Sequence, residues 1–81
     1  MKRTDIEKGV IDIIAQSNGL KFTPRVNDSF KKLGMDSLDL IETIMSVENE
    51  FKINIDDSEY VACYYVRDIV DFVDLKHGLP V

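Results

Sequence analysis

Between Leu38 and Phe51 the apolar residues recur at intervals of three and four, in two adjacent rows. Leu40, Ile44, Val47 and Phe51 make one row; Leu38, Ile41 and Met45 make the other. An α-helix places both rows on neighbouring faces, and together they cover a broader arc than one small core needs. Such a helix must be covered on one face at least, and the rest of the chain supplies helices for the purpose. Ile6, Val10, Ile13 and Ile14 carry the same spacing in a first helix. Thr4-Asp5-Ile6-Glu7 reads as its capping box, and Asn18-Gly19 as its stop. Asp36 is the expected N-cap of the second helix, with Asp39 three residues on. A short third helix is expected from Asp57 or Ser58 to about Cys63, after a turn over Asn54 to Ser58. A fourth is expected from Val66 to His77, with Val66, Ile69, Val70, Val73 and Phe72 inward and Gly78 and Pro80 ending it.

No hairpin signal and no internal repeat interrupts this pattern. Residues 20–35 remain as a long connection, broken by Pro24, Asn27, Asp28 and Gly34. A connection of that length is usually functional or pinned by its own side chains, and Phe22, Val26, Phe30 and Leu33 are the candidates to pin it. The expected fold class is therefore all-α: a small four-helix bundle with a long loop between the first and second helices and a short third helix. With 81 residues the chain is expected to form one domain over residues 1–81.

Charge is unevenly spread. Residues 1–35 hold seven Lys or Arg against four acids, whereas residues 36–59 hold eight acids against Lys52 alone. A concentrated acidic block argues against nucleic acid, whose phosphates call for Lys and Arg. It suits partners with basic patches. Conventional catalytic patterns are nearly lacking. His77 is the single histidine and sits at an expected helix end, where a cation favours the helix dipole. Cys63 lies in an apolar run and reads as core filling. One Cys and one His cannot build a structural zinc site, and neither acidic stretch matches a calcium loop, so no metal is expected. The opening MKRTDIEKGV is not a signal peptide, and no apolar run approaches the roughly 20 residues of a membrane span, so a cytoplasmic location without membrane insertion is expected.

Ser37 stands at the start of the second helix, in Gly34-Met35-Asp36-Ser37-Leu38-Asp39-Leu40. On residue type alone a helix-start serine is most often a cap. Asp36 caps as well, however, and a helix start with free N–H groups favours an anion, so a phosphate ester there would be stabilised. Likewise the two apolar rows are either both core with acids on a solvated face, or one core row and one partner row rimmed by acids.

The segment Leu33 to Phe51 resembles the phosphopantetheine attachment segment of acyl carrier proteins. Its signature is the triplet Asp36-Ser37-Leu38, preceded by Leu33-Gly34. Asn27-Asp28-Ser29-Phe30 precedes it at the family's spacing, and Ile53-Asn54-Ile55-Asp56-Asp57 and a final helix containing Ile69 to Val73 follow. The resemblance spans nearly the whole chain. It implies a non-catalytic, monomeric carrier. A phosphopantetheinyl transferase would join a 4'-phosphopantetheine arm from coenzyme A to Ser37, and the arm's thiol would hold acyl groups as thioesters. The enzymes expected to act on that cargo are acyl-transfer, condensing and reducing enzymes with basic docking patches, in fatty-acid or related lipid or polyketide biosynthesis. Asp36, Leu38, Asp39, Ile41, Glu42, Met45, Glu48, Asp57 and Glu59 match or extend the family's docking surface. Ile44, Val47, Phe51 and Ile69 are the candidate lining of an acyl pocket. An aminoacyl or peptidyl carrier, or an unmodified interaction module of the same fold, is the alternative. The sequence departs from the family's usual pattern at Lys31-Lys32, Thr43, Asp56 and Cys63-Tyr64-Tyr65.

Overall fold

A computed structural model describes residues 2–77, among which lie four helices and no strand. They are α1 (Arg3–Ser17), α2 (Ser37–Phe51), α3 (Asp57–Tyr60) and α4 (Val66–His77). α1 packs on both α2 and α4. Ile6, Val10 and Ile14 of α1, Ile44 and Val47 of α2, and Val66, Ile69, Val70 and Val73 of α4 form a buried core. Burial of those aliphatic side chains, each worth about 1.5–3 kcal/mol, drives assembly of helices too short to persist alone.

Helix limits differ from expectation in two places. α1 begins at Arg3 with Lys2 as an extended N-cap, and no side chain caps it, so Thr4 lies inside the first turn rather than at its entrance. The capping box expected at Thr4-Asp5-Ile6-Glu7 is therefore not formed. α3 stops at Tyr60 instead of reaching Cys63, and the residues up to Cys63 continue as turns closed by Cys63 N–H donating to the Tyr60 carbonyl at 2.9 Å. The end of α1 follows the expected device. Gly19 adopts φ +60, and the N–H groups of Gly19 and Leu20 donate to the carbonyls of Gln16 and Ala15. The terminators Gly78 and Pro80 lie outside the described residues.

The long connection is tied down by backbone as much as by side chains. Phe30 N–H donates to Tyr64 O (3.0 Å), Val66 N–H to Asp28 O (3.0 Å) and Arg67 N–H to Val26 O (2.8 Å). Ser29 and Tyr65 form an isolated antiparallel bridge. Phe30, Leu33 and Met35 are buried and Val26 is half-buried, but Phe22 is 56% exposed and does not pin the loop. Fully buried Pro24 does so in its place. Gly34, at φ +77, lets Met35 N–H turn back onto Phe30 O at 3.0 Å, which brings the chain to the start of α2.

Candidate functional site

The start of α2 is fixed by two aspartates. Asp36 is extended, and its Oδ1 accepts the Asp39 N–H at 2.9 Å; Asp39 Oδ2 accepts the Asp36 N–H at 3.1 Å. This is a capping box with Asp in both roles. It leaves Ser37 as the first helical residue, exposed and not employed as a cap. Among the described residues, the Ser37 hydroxyl and the N–H groups of Ser37 and Leu38 have no hydrogen-bond partner. An exposed hydroxyl beside open N–H groups, at the positive end of a 15-residue helix, suits a phosphate ester.

The two apolar rows of α2 separate cleanly. Ile44, Val47 and Phe51 are buried and Leu40 is half-buried. Leu38, Ile41 and Met45 point outward, at 62%, 36% and 57% exposure. Ser37, Leu38, Ile41 and Met45 thus share the outer side of one helix, and Glu42 stands exposed among them. The remaining acids do different work. Glu48 Oε2 accepts the Ile55 N–H at 2.9 Å, so its carboxylate holds the turn after α2. Glu59 accepts the Asp56 N–H at 2.9 Å and the Lys76 ammonium at 3.1 Å, and these bonds hold its carboxyl below its ordinary value. Asp57 is exposed.

A groove of about 660 Å³ opens beside Ser37. Phe30, Met35, Leu40, Ile41, Tyr60 and Cys63 are among its lining residues. Ile44, Val47, Phe51 and Ile69, proposed from sequence as acyl-pocket lining, do not border it; they are packed into the core beneath. Sequence periodicity marks core positions and cannot mark a cleft between a loop and two helices. The signal available was the cluster of departures at Cys63, Tyr64 and Tyr65, all three of which line the groove.

Several odd residues find their reasons here. Thr43 is fully buried, and its Oγ1 accepts from Asn18 Nδ2 at 3.2 Å, so its hydroxyl is satisfied in the core. Asp68, in the first turn of α4, accepts the N–H groups of Tyr64 and Tyr65 at 2.8 and 2.9 Å. Cys63 is 4% exposed, and burial pushes its thiol up to about 12, the state of an inert core thiol. His77 meets the Phe51 ring edge-on at 5.9 Å.

Comparison with known proteins agrees with this geometry. Residues 8–73 match the family model described as "Phosphopantetheine attachment site". The acyl carrier protein of Rickettsia bellii (strain RML369-C) is 35% identical over 74 residues, covering 89% of this chain and 86% of that protein. The crystal structure of an acyl carrier protein from Thermotoga maritima superposes with a TM-score of 0.80 at 32% identity, covering 95% of this chain and 92% of the other. With the helical fold, the signature and both relatives in agreement, the chain belongs to the acyl carrier proteins, the family of carriers built around a 4'-phosphopantetheine group.

Proposed function

We propose that Ser37 is the residue to which the 4'-phosphopantetheine arm is joined, and that residues 1–81 act as one carrier domain. The observation that carries this is the division of labour at the start of α2. Asp36 and Asp39 cap the helix, and the Ser37 hydroxyl is left exposed and unengaged beside the groove. A phosphopantetheinyl transferase would break the pyrophosphate linkage of coenzyme A and join the pantetheine-bearing phosphorus to Ser37 Oγ, with adenosine 3',5'-bisphosphate as the leaving group and the hydroxyl proton released. Bound there, the arm supplies a thiol that holds an acyl group as a thioester. The chain itself performs no chemical step in this reading. It presents cargo in the cytoplasm to acyl-transfer, condensing and reducing enzymes of fatty-acid or related lipid or polyketide biosynthesis.

The outer face of α2 is the proposed docking surface. Leu38, Ile41 and Met45 give it an exposed apolar strip, and Asp39 and Glu42 set negative charge along it. A basic patch on a partner would be steered by that charge and seated by the strip. Glu48 and Glu59 contribute to the field while also bonding to their own chain.

The test is intact-protein mass after incubation with coenzyme A and a promiscuous phosphopantetheinyl transferase. Wild type gains one phosphopantetheine, and Ser37→Ala gains none while keeping its helical circular dichroism. A gain on the Ser37→Ala variant would move the site elsewhere. No gain on folded wild type would reduce the chain to a carrier fold without modification.

A further inference from the structure

Residues 20–35 hold four of the chain's ten Lys and Arg, Lys21, Arg25, Lys31 and Lys32, and a single acid, Asp28. That acid is engaged within the loop itself. Its Oδ2 accepts the Arg25 N–H at 2.9 Å, and its Oδ1 accepts the Lys32 ammonium at 3.2 Å. Among the described residues Lys21, Arg25 and Lys31 make no ion pair, whereas Arg3 and Lys76 are held by acids on other helices. A second hollow, of about 720 Å³, lies in this segment. Phe22, Arg25, Asn27, Asp28 and Lys32 border it, and no residue that lines the Ser37 groove does so. Arg67 brings a further positive charge to its edge, Nη1 donating to Asn27 Oδ1 at 3.1 Å. Phe22 stands on that border at 56% exposure, although Pro24, two residues on, is fully buried. The backbone bonds of Val26, Asp28 and Phe30 to the segment around Val66 hold the loop in one shape, so a partner would not have to order it.

We propose that this hollow docks an acidic segment of a partner protein, its carboxylates set against Lys21, Arg25 and Arg67 and an apolar side chain against Phe22. Charge selects that occupant. An extended anionic surface, a nucleic acid or a layer of lipid headgroups, would also confront the eight acids of residues 36–59 on a chain of net charge −5. A compact acidic segment meets the bases alone. Because the hollow and the Ser37 groove share no residue, a partner held here leaves Ser37 and the outer face of α2 open to a second enzyme. The carrier then has two docking faces of opposite sign, one to tether it and one to exchange cargo.

The experiment titrates the isotope-labelled full chain at low salt with a synthetic peptide in which pairs of Glu alternate with single Leu residues. Amide shifts are expected at residues 21–32 and at Arg67, and not along 38–51. Combining Lys21→Glu with Arg25→Glu should weaken binding about tenfold, two exposed attractions being turned to repulsion, with an unchanged urea midpoint because the Arg25 N–H keeps its bond to Asp28. Phe22→Ala should weaken it about fivefold, and physiological salt should weaken wild-type binding as well. With the peptide bound, a transferase should load Ser37 at its usual rate. Silent amides at residues 21–32, or undiminished affinity in the double variant, overturn the docking site. The same amides moving when the chain alone is concentrated overturn it in favour of a second copy, and co-sedimentation with phosphatidylglycerol vesicles overturns it in favour of a lipid surface. Loading slowed by the peptide in wild type but not in the double variant overturns the separation of the two faces. Occupation of the hollow does not rest on attachment at Ser37, so a chain that binds the peptide and fails to load keeps the first and loses the second.

Discussion

The inner and outer faces of α2 are made of the same kinds of residue and live in opposite surroundings. Ile44 and Val47 are 3% and 0% exposed, whereas Leu38 and Met45, on the other side of the same fifteen residues, are 62% and 57% exposed. Nothing in the side chains themselves distinguishes the faces. The difference comes from what lies opposite, α1 and the core on one side and solvent on the other. An apolar strip left open on a small acidic protein costs solubility and no stability is gained from it, which is the profile of a surface kept for transient partners.

Substitutions can break that contrast or sharpen it. The largest effect is expected from Ile44→Ala, which should cost about 2–5 kcal/mol, against a change within about 0.5 kcal/mol for Met45→Ala. Urea denaturation monitored by circular dichroism measures both, and similar losses for the two would show that Met45 is buried in solution. Next is Gly9→Ala. A Cβ at Gly9 would lie 2.7 Å from Cζ of Phe51, so α1 crosses the end of α2 with no room for a methyl group. Overpacking of about 1–3 kcal/mol, offset by about 1 kcal/mol of helix propensity, should leave a net loss. A stabilised Gly9→Ala protein would mean that the Phe51 ring moves aside freely.

The outer face gives smaller effects on stability and larger ones on binding. Asp39→Lys removes half of the capping box at α2 and should cost about 1 kcal/mol. Glu42→Lys touches no such bond and should stay within about 0.5 kcal/mol. Both should slow loading by a phosphopantetheinyl transferase, more at low salt than at high. Loading kinetics that ignore Glu42→Lys at low salt would remove the acids from docking. The smallest effect concerns acid. Asp28 and Glu59 both have carboxyls held below their ordinary values, Asp28 by the Arg25 N–H and Lys32 and Glu59 by the Asp56 N–H and Lys76. Their contribution is complete above the ordinary carboxylate range and is lost as pH falls through the lowered values. Thermal midpoints recorded downward from pH 6 should therefore drop less steeply for Glu59→Gln than for wild type. A parallel pair of curves would show that Glu59 titrates alike in the folded and unfolded chain.

Much of this was legible in the sequence because helical spacing and cap residues act locally. The four helices, the left-handed stop at Gly19 and the split of α2 into two rows all follow from residues within a few positions of one another. The misses have non-local causes. Thr4 looked like a cap, yet α1 starts two residues earlier than that cap implies, with Lys2 as N-cap, where Arg3 reaches Asp71 and Asp74 of α4 at 2.6 and 3.2 Å. Phe22 looked like an anchor, and Pro24 took the place. The Ser37 groove escaped because its walls come from segments some thirty positions apart, residues 29–41 and 60–65. Glu48 read as a surface acid because its partner, the Ile55 N–H, lies beyond the helix end.

The backbone bonds from Asp28, Phe30 and Val26 to the segment around Val66 have a consequence for how the molecule comes apart. They join stretches nearly forty residues distant, so they close late and open together. The same opening event that releases the first turn of α4 would loosen Phe30 and Tyr65, and with them two walls of the cleft next to Ser37. Amide protons of Phe30, Val66 and Arg67 should then exchange with solvent as one cooperative unit, and the lifetime of that unit sets how long the cleft keeps its shape.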